Sequence, residues 1–217
     1  MNKLVLNNHC KLNENLEVLE IAPGETSLEF SGEVELDSIL FPISYFETTW
    51  IIHDDSKVKI CIAQEISSVH GKIHLILHEN AHLIFHFGMY AISENHLEIF
   101  HEQVKNYSES EIKFRIATSE NSKVLLKATG SIAKSTKGNV YLEDIHYLNE
   151  YPGSIVCFPE LLVDSEDTKA NHNMTVAGTN EEILFYLESR GIQEEQAKRL
   201  IRKSFVESMS RKDGDYL

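Results

Sequence analysis

The chain is short of basic side chains, with 20 Lys and Arg against 34 Asp and Glu and a formal net charge of −14. Such a surface repels phosphate, which disfavours general nucleic-acid binding and docking on an anionic membrane. Cysteine is scarce too. Cys10, Cys61 and Cys157 form neither a CxxC pair nor a paired framework, so a disulfide scaffold is not expected and a reducing cytoplasm is. No apolar run approaches the roughly 20 residues that span a bilayer. The opening MNKLVLNNHCKLNENLEV lacks the apolar centre of a secretory signal. A Gly-rich phosphate loop and a GxSxG elbow are both missing, which sets aside P-loop ATPase and serine hydrolase chemistry.

What is there suits a globular domain with a small appendage: 217 residues, 42% hydrophobic and 25% charged. Residues 1–173 hold 26 acidic and 13 basic side chains, whereas residues 174–217 hold 8 and 7. That shift divides an acidic body, 1–173, from a nearly balanced tail, 174–217.

Between Leu4 and Val163 the body reads as many short strands and almost no helix, with Val, Ile, Phe and Tyr in runs broken by acidic or small residues. A turn-centred pattern recurs. His53-Asp54-Asp55-Ser56 and His78-Glu79-Asn80-Ala81 each separate two alternating apolar runs, with weaker copies at Ser93–His96 and Ser119–Ser122. Asp and Asn suit such corners because they bond nearby backbone and tolerate the left-handed region. Asp55, Asn80 and Asn121 are spaced by 25 and 41 residues, so the period is imperfect. A mainly β solenoid or a meander-rich sandwich fits the pattern, and a solenoid needs its ends covered.

The tail predicts two helices, and such an appendage could supply that cover. Asn180 is a good N-cap with Glu181 and Glu182 behind it, Leu184 and Leu187 are apolar, and Gly191 is a natural stop. Leu184, Phe185, Leu187, Leu200 and Ile201 are expected to pack the helices together. Ala197, Leu200, Ile201 and Phe205 form the apolar face of the second helix, and Lys198, Arg199, Arg202 and Lys203 form a basic one. Arg211–Leu217 should fray.

Two residue patterns carry metal or acid–base potential. His70, His74, His78, His82 and His86 recur every four residues. On strands this spacing puts His74 and His78 outward on one rung and His82 and His86 outward on the next. That ladder could take zinc, nickel or iron, or it could be a solvated β-face. Asp54, Asp55, Asp164 and Asp167 could be read as glycosidase acids, but at turn tips they read as turn formers.

Phe158–Ser204 resembles the C-terminal signature of the SufB/SufD family of iron–sulfur assembly subunits. The matching residues are Asp164–Asp167, His172, Thr175, Glu181, Leu184-Phe185-Tyr186 and Ser189-Arg190-Gly191. The resemblance implies a right-handed parallel β-helix followed by a small C-terminal helical domain. It further implies a non-catalytic subunit that docks a SufC-like ABC ATPase through residues 180–210, with Lys198, Arg199, Arg202 and Lys203 at the contact. Its β-helix edge would pair with a SufB/SufD-type paralogue or with itself, around a transient, shared iron–sulfur cluster. His172 is the implied cluster ligand. The chain departs from the pattern at Ala170, where some SufD members carry cysteine, and at Asp144, where the SufB scaffold's cysteine falls. Asn171 and Asn173 flank His172 where SufB has glutamates, and neither Cys61 nor Cys157 matches a functional cysteine of the family. These departures favour the SufD-like role. A stand-alone metal-binding solenoid using the histidine ladder is the alternative, and a β-helix enzyme acting on an acidic or sugar substrate is the third reading.

Overall fold

The computed structural model describes residues 3–151 and 154–210. Six short N-terminal strands come first: β1 (Lys3–Leu6), β2 (His9–Leu12), β3 (Val18–Ile21), β4 (Gly24–Phe30), β5 (Glu33–Leu36) and β6 (Ile39–Leu40). Longer ones follow: β7 (Phe46–Ile52), β8 (Lys57–Ile66), β9 (His70–Leu77), β10 (His82–Ala91) and β11 (Glu94–Gln103). The series continues with β12 (Glu109–Thr118), β13 (Lys123–Ile132), β14 (Lys137–Leu148), β15 (Ile155–Val163) and β16 (Asp167–Ala177). Helices α1 (Glu181–Ser189) and α2 (Glu194–Glu207) close the described chain. The expected tail Arg211–Leu217 lies outside the described residues.

All strand pairing among the described residues is parallel, and alternate strands build opposite walls of a β-solenoid of about five turns. One wall runs β5-β8-β10-β12-β14-β16 and the other β2-β4-β7-β9-β11-β13-β15, while β1, β3 and β6 form a small third sheet. On the first wall Glu33 pairs with Lys57, Lys57 with His82, His82 with Glu109 and Glu109 with Val140, steps of 24, 25, 27 and 31 residues. Rungs that lengthen along the chain explain the imperfect period.

The corners follow local chemistry. Asp55 and Asn80 take φ of +60° and +52°, a region Asp and Asn tolerate better than other side chains bearing a Cβ. The Asn80 amide donates to the Asp55 carboxylate (2.8 Å), and Asp54 accepts the Glu79 N–H (3.0 Å), so each corner holds the next. Glu120-Asn121 also turns. The expected turn at Ser93–His96 does not form. The bend falls at Ile92-Ser93, and Glu94 already opens β11.

Inward side chains stack into one core. Trp50 of one wall meets Phe85 of the other edge-to-face at 6.5 Å, and Phe85 reaches Phe114 of the next rung at 6.1 Å. Full burial of such a ring contributes about 1.5–3 kcal/mol.

The helical hairpin does not cover a solenoid end. β16 runs on to Ala177, and α2 lies across the outer face of β8, β10 and β12. A small-residue platform makes room for it. A Cβ at Gly88 would stand 2.5 Å from the Val206 carbonyl and 3.1 Å from Ala63 Cβ. Asn180 caps α1 by accepting the Glu182 and Ile183 N–H groups, and Gly191 (φ +86°) ends it. Of the residues expected to join the helices, Leu184 is buried and Leu187 and Ile201 are half-buried, but Phe185 and Leu200 face solvent. Gly88→Val should therefore lift α2 off the wall while the solenoid stays folded, at a cost of about 1–3 kcal/mol. Hydrogen exchange would check it, through faster exchange in 194–207 and unchanged exchange in β8–β12.

Candidate functional site

The solenoid ends at two open edges. Among the described residues β15 pairs with β13 alone and β16 with β14 alone, and these edges are 9 and 11 residues long. Register neighbours in a parallel sheet share a face, so core columns run out into this end. Phe114 pairs with Ile145 and Ile145 with Met174, and Met174 and Val176 are 44% and 50% exposed although they continue inward columns. On the other wall Leu126, Ala128 and Gly130 are followed by Cys157, Pro159 and Leu161.

A polar cluster interrupts the core at this end. Glu143, only 4% exposed, pairs in register with Ile112 on one side and His172 on the other. The Tyr141 hydroxyl donates to Glu143 Oε2, while Oε1 is buried without a hydrogen-bond partner. Burial pushes the Glu143 carboxyl up to about 7, and burial beside that carboxyl raises the Tyr141 phenol far above its ordinary range. Gly130 makes space for the Tyr141 ring, since a Cβ there would stand 2.3 Å from its Cζ. His101, fully buried with both ring nitrogens unpaired, lies 5.1 Å from that ring. Burial lowers its imidazole to about 3, so it is neutral. Cys157 faces the same interior from β15. Burial and the Glu143 charge push its thiol up to about 12.

A thiol, an imidazole and a carboxyl are donors that suit iron. Among the described residues, however, no three or more His, Cys, Asp or Glu side chains are arranged to hold a metal ion. One chain presents an incomplete set.

Comparison with known proteins supplies the family. The model for the SufBD core domain of SUF-system FeS cluster assembly matches residues 47–205, from β7 through most of α2. The chain belongs to the SufB/SufD family. It is 40% identical over 82 residues to an iron–sulfur cluster assembly SufBD family protein of Pyrococcus horikoshii, covering 36% of this chain and 17% of that protein. To the iron–sulfur cluster assembly protein SufD of Plasmodium falciparum it is 28% identical over 116 residues, covering 52% of this chain and 8% of that protein. The matches thus span a minor part of both relatives.

Within this SufB/SufD-family chain, His172 sits on the open edge, exposed, beside Glu143. Ala170 packs against the core at the same end. Asp144 is on the outer face, where it meets Asn173 (3.0 Å), His146 (2.8 Å) and Arg115 (3.3 Å). These partners outweigh burial and hold its carboxyl below the usual range. It is placed as a surface ion-pair acceptor, away from the interior cluster.

The four ladder histidines are not brought together. His74 is outward on β9, His78 lies in the following corner, and His82 and His86 are outward on β10 of the opposite wall. Each has its own carboxylate: Glu102 at 2.8 Å, Asp54 at 3.8 Å, Glu109 at 3.4 Å and Glu111 at 2.6 Å, respectively. A corner between His78 and His82 divides the series, which constant sequence spacing could not reveal.

The basic residues of α2 each find an acidic partner within the chain, and one of them is buried. Arg202 is buried, donating to Glu150 and to the Tyr151 hydroxyl (3.0 Å). Arg199 and Lys203 face Glu65 at 3.6 and 3.8 Å, and Lys198 bonds Glu194 at 2.6 Å. The hairpin instead exposes Ile183, Phe185, Tyr186 and Leu200, Phe185 to 72%.

Glu143 yields a pH prediction. Its folded-state affinity for the proton exceeds that of an ordinary carboxyl near 4.5, so the stability it contributes is complete below that value and is lost as pH rises through about 7. The loss is on the order of 3 kcal/mol at about 1.4 kcal/mol per unit. Urea unfolding between pH 4.5 and 8 should show the decline, and Glu143→Gln should flatten it. A decline undiminished in the variant would assign it to another group.

Proposed function

We propose that this chain is a non-catalytic, SufD-like subunit of a SUF-type iron–sulfur cluster assembly complex. The observation that carries the reading is the uncovered end of the solenoid. Unpaired strand edges and interrupted apolar columns call for a second β-structure, and a SufB/SufD-type paralogue or a second copy fits that need. The cluster is cargo held transiently between the two, with His172 as a ligand from this side. Family membership supports the assembly role. No described helix is long and apolar enough to cross a membrane, and reduced cysteines suit the cytoplasm.

The SufC-like ATPase would dock on Ile183, Phe185, Tyr186 and Leu200, exposed apolar residues of the helical hairpin. Glu150 gives that docking a route to the open end. It lies between β14 and β15, accepts from Arg202 of α2, and accepts from Thr179 between β16 and α1. One carboxylate ties the hairpin to both edge strands, so movement of the helices on nucleotide hydrolysis would bear on the pairing edge.

Co-expression with a SufC-type ATPase tests the docking surface. Phe185→Asp combined with Tyr186→Ala should lower ATPase capture at least tenfold, about 1.4 kcal/mol or more, without changing the melting temperature of the chain. Undiminished capture would contradict the assigned face.

A further inference from the structure

The thiolate of the shared site has been left to the partner, because Asp144 and Ala170 stand at the family's cysteine positions. The fold offers another. We infer that Cys157 is the thiolate this chain itself brings to thiophilic metal cargo at its open end, with Glu143 as a second donor, the set being completed by the paired subunit. This rests on the pairing reading above.

The three cysteines differ in placement. Cys10 is on β2, far along the wall from the open end, with its thiol 3.6 Å from the Lys11 carbonyl. Cys61 is on β8, outward, in register with His86. Cys10 and Cys157 are both inward, packed against the core and on the terminal strands of one wall, but Cys157 is the one at the C-terminal end, within range of the Glu143 charge.

A second observation points to a cation there. Glu143 Oε1 is an acceptor with no donor, buried one rung below the edge. The residues nearest it supply no positive charge. Tyr141 on its own strand donates to the other oxygen, His101 on β11 is neutral, β13 offers Ala128 and Gly130, and β15 offers Cys157. His172 on β16 is the remaining titratable neighbour. An acceptor left unpaired in a native core calls for an occupant, and a metal ion shared with a thiolate would satisfy it.

On metal binding the sulfur–metal bond forms as the thiol proton is released to solvent.

Cobalt(II) alone is the probe, added anaerobically to the full purified chain, with oligomeric state read on the same samples by analytical ultracentrifugation. The wild-type chain should develop a thiolate-to-cobalt charge-transfer band as it pairs. Cys157→Ser should abolish the band while pairing persists, Glu143→Gln should weaken cobalt binding roughly tenfold, and Cys10→Ser and Cys61→Ser should leave it unchanged. A paired wild-type chain without the band, or a band that survives Cys157→Ser, overturns the inference and leaves pairing intact. A chain that stays monomeric yet shows a Cys157-dependent band overturns self-pairing alone. A monomer without the band overturns self-pairing, and the titration repeated with a SufB/SufD-type partner added then decides the cysteine: no Cys157-dependent band there overturns the inference.

Discussion

A strand in a parallel ladder has its backbone satisfied only when a neighbour stands on each side. From β7 to β14 every strand meets that condition, and each rung's side chains find a layer above and below. β15 and β16 do not. At the other end the outermost strands β2 and β5 are four residues long and a third small sheet lies alongside, which blunts the edge. At the C-terminal end two long edges and the tips of the core columns face solvent together. The hairpin that could have capped them lies on the flank instead, and the functional reading depends on this asymmetry.

The same end concentrates the polar groups that a hydrophobic core excludes. Tyr141, Glu143 and His101 interrupt columns otherwise built from Leu, Ile, Phe and Ala, and they cluster one or two rungs below the edge. Buried polar groups with missing partners lower stability, so their retention beside an open interface points to a role there. A cover that brings a ligand would satisfy what the isolated chain leaves unsatisfied.

Much of this was legible in the residues. Asp55 and Asn80 announced corners because their side chains suit positive φ, whereas the corners at Tyr107 (φ +57°) and Ser135 (φ +67°) carry no such signature. The acid inside the core was readable too. The alternation in Tyr141-Leu142-Glu143-Asp144-Ile145 puts Glu143 on the apolar face, as Leu97, Ile99 and His101 do for the buried histidine. The partner of Arg202 was not legible for a long-range reason. Glu150 precedes Arg202 by 52 residues, and nothing local marks them as partners. Cys157 matched no family cysteine, and only the fold shows that it reaches the interior of the last rung.

The central claim is that the C-terminal end of the solenoid is unfinished until a second subunit covers it. Hydrogen–deuterium exchange resolved over β15 and β16 tests it most directly, comparing the dilute chain with the chain at high concentration or mixed with a SufB/SufD-type partner. Exchange in 155–163 and 167–177 should be fast in the dilute chain and slow by a factor of about 10 or more on pairing, with β8 to β12 unaffected. Edge strands already protected in the dilute monomer, and unchanged by concentration or partner, would contradict the account.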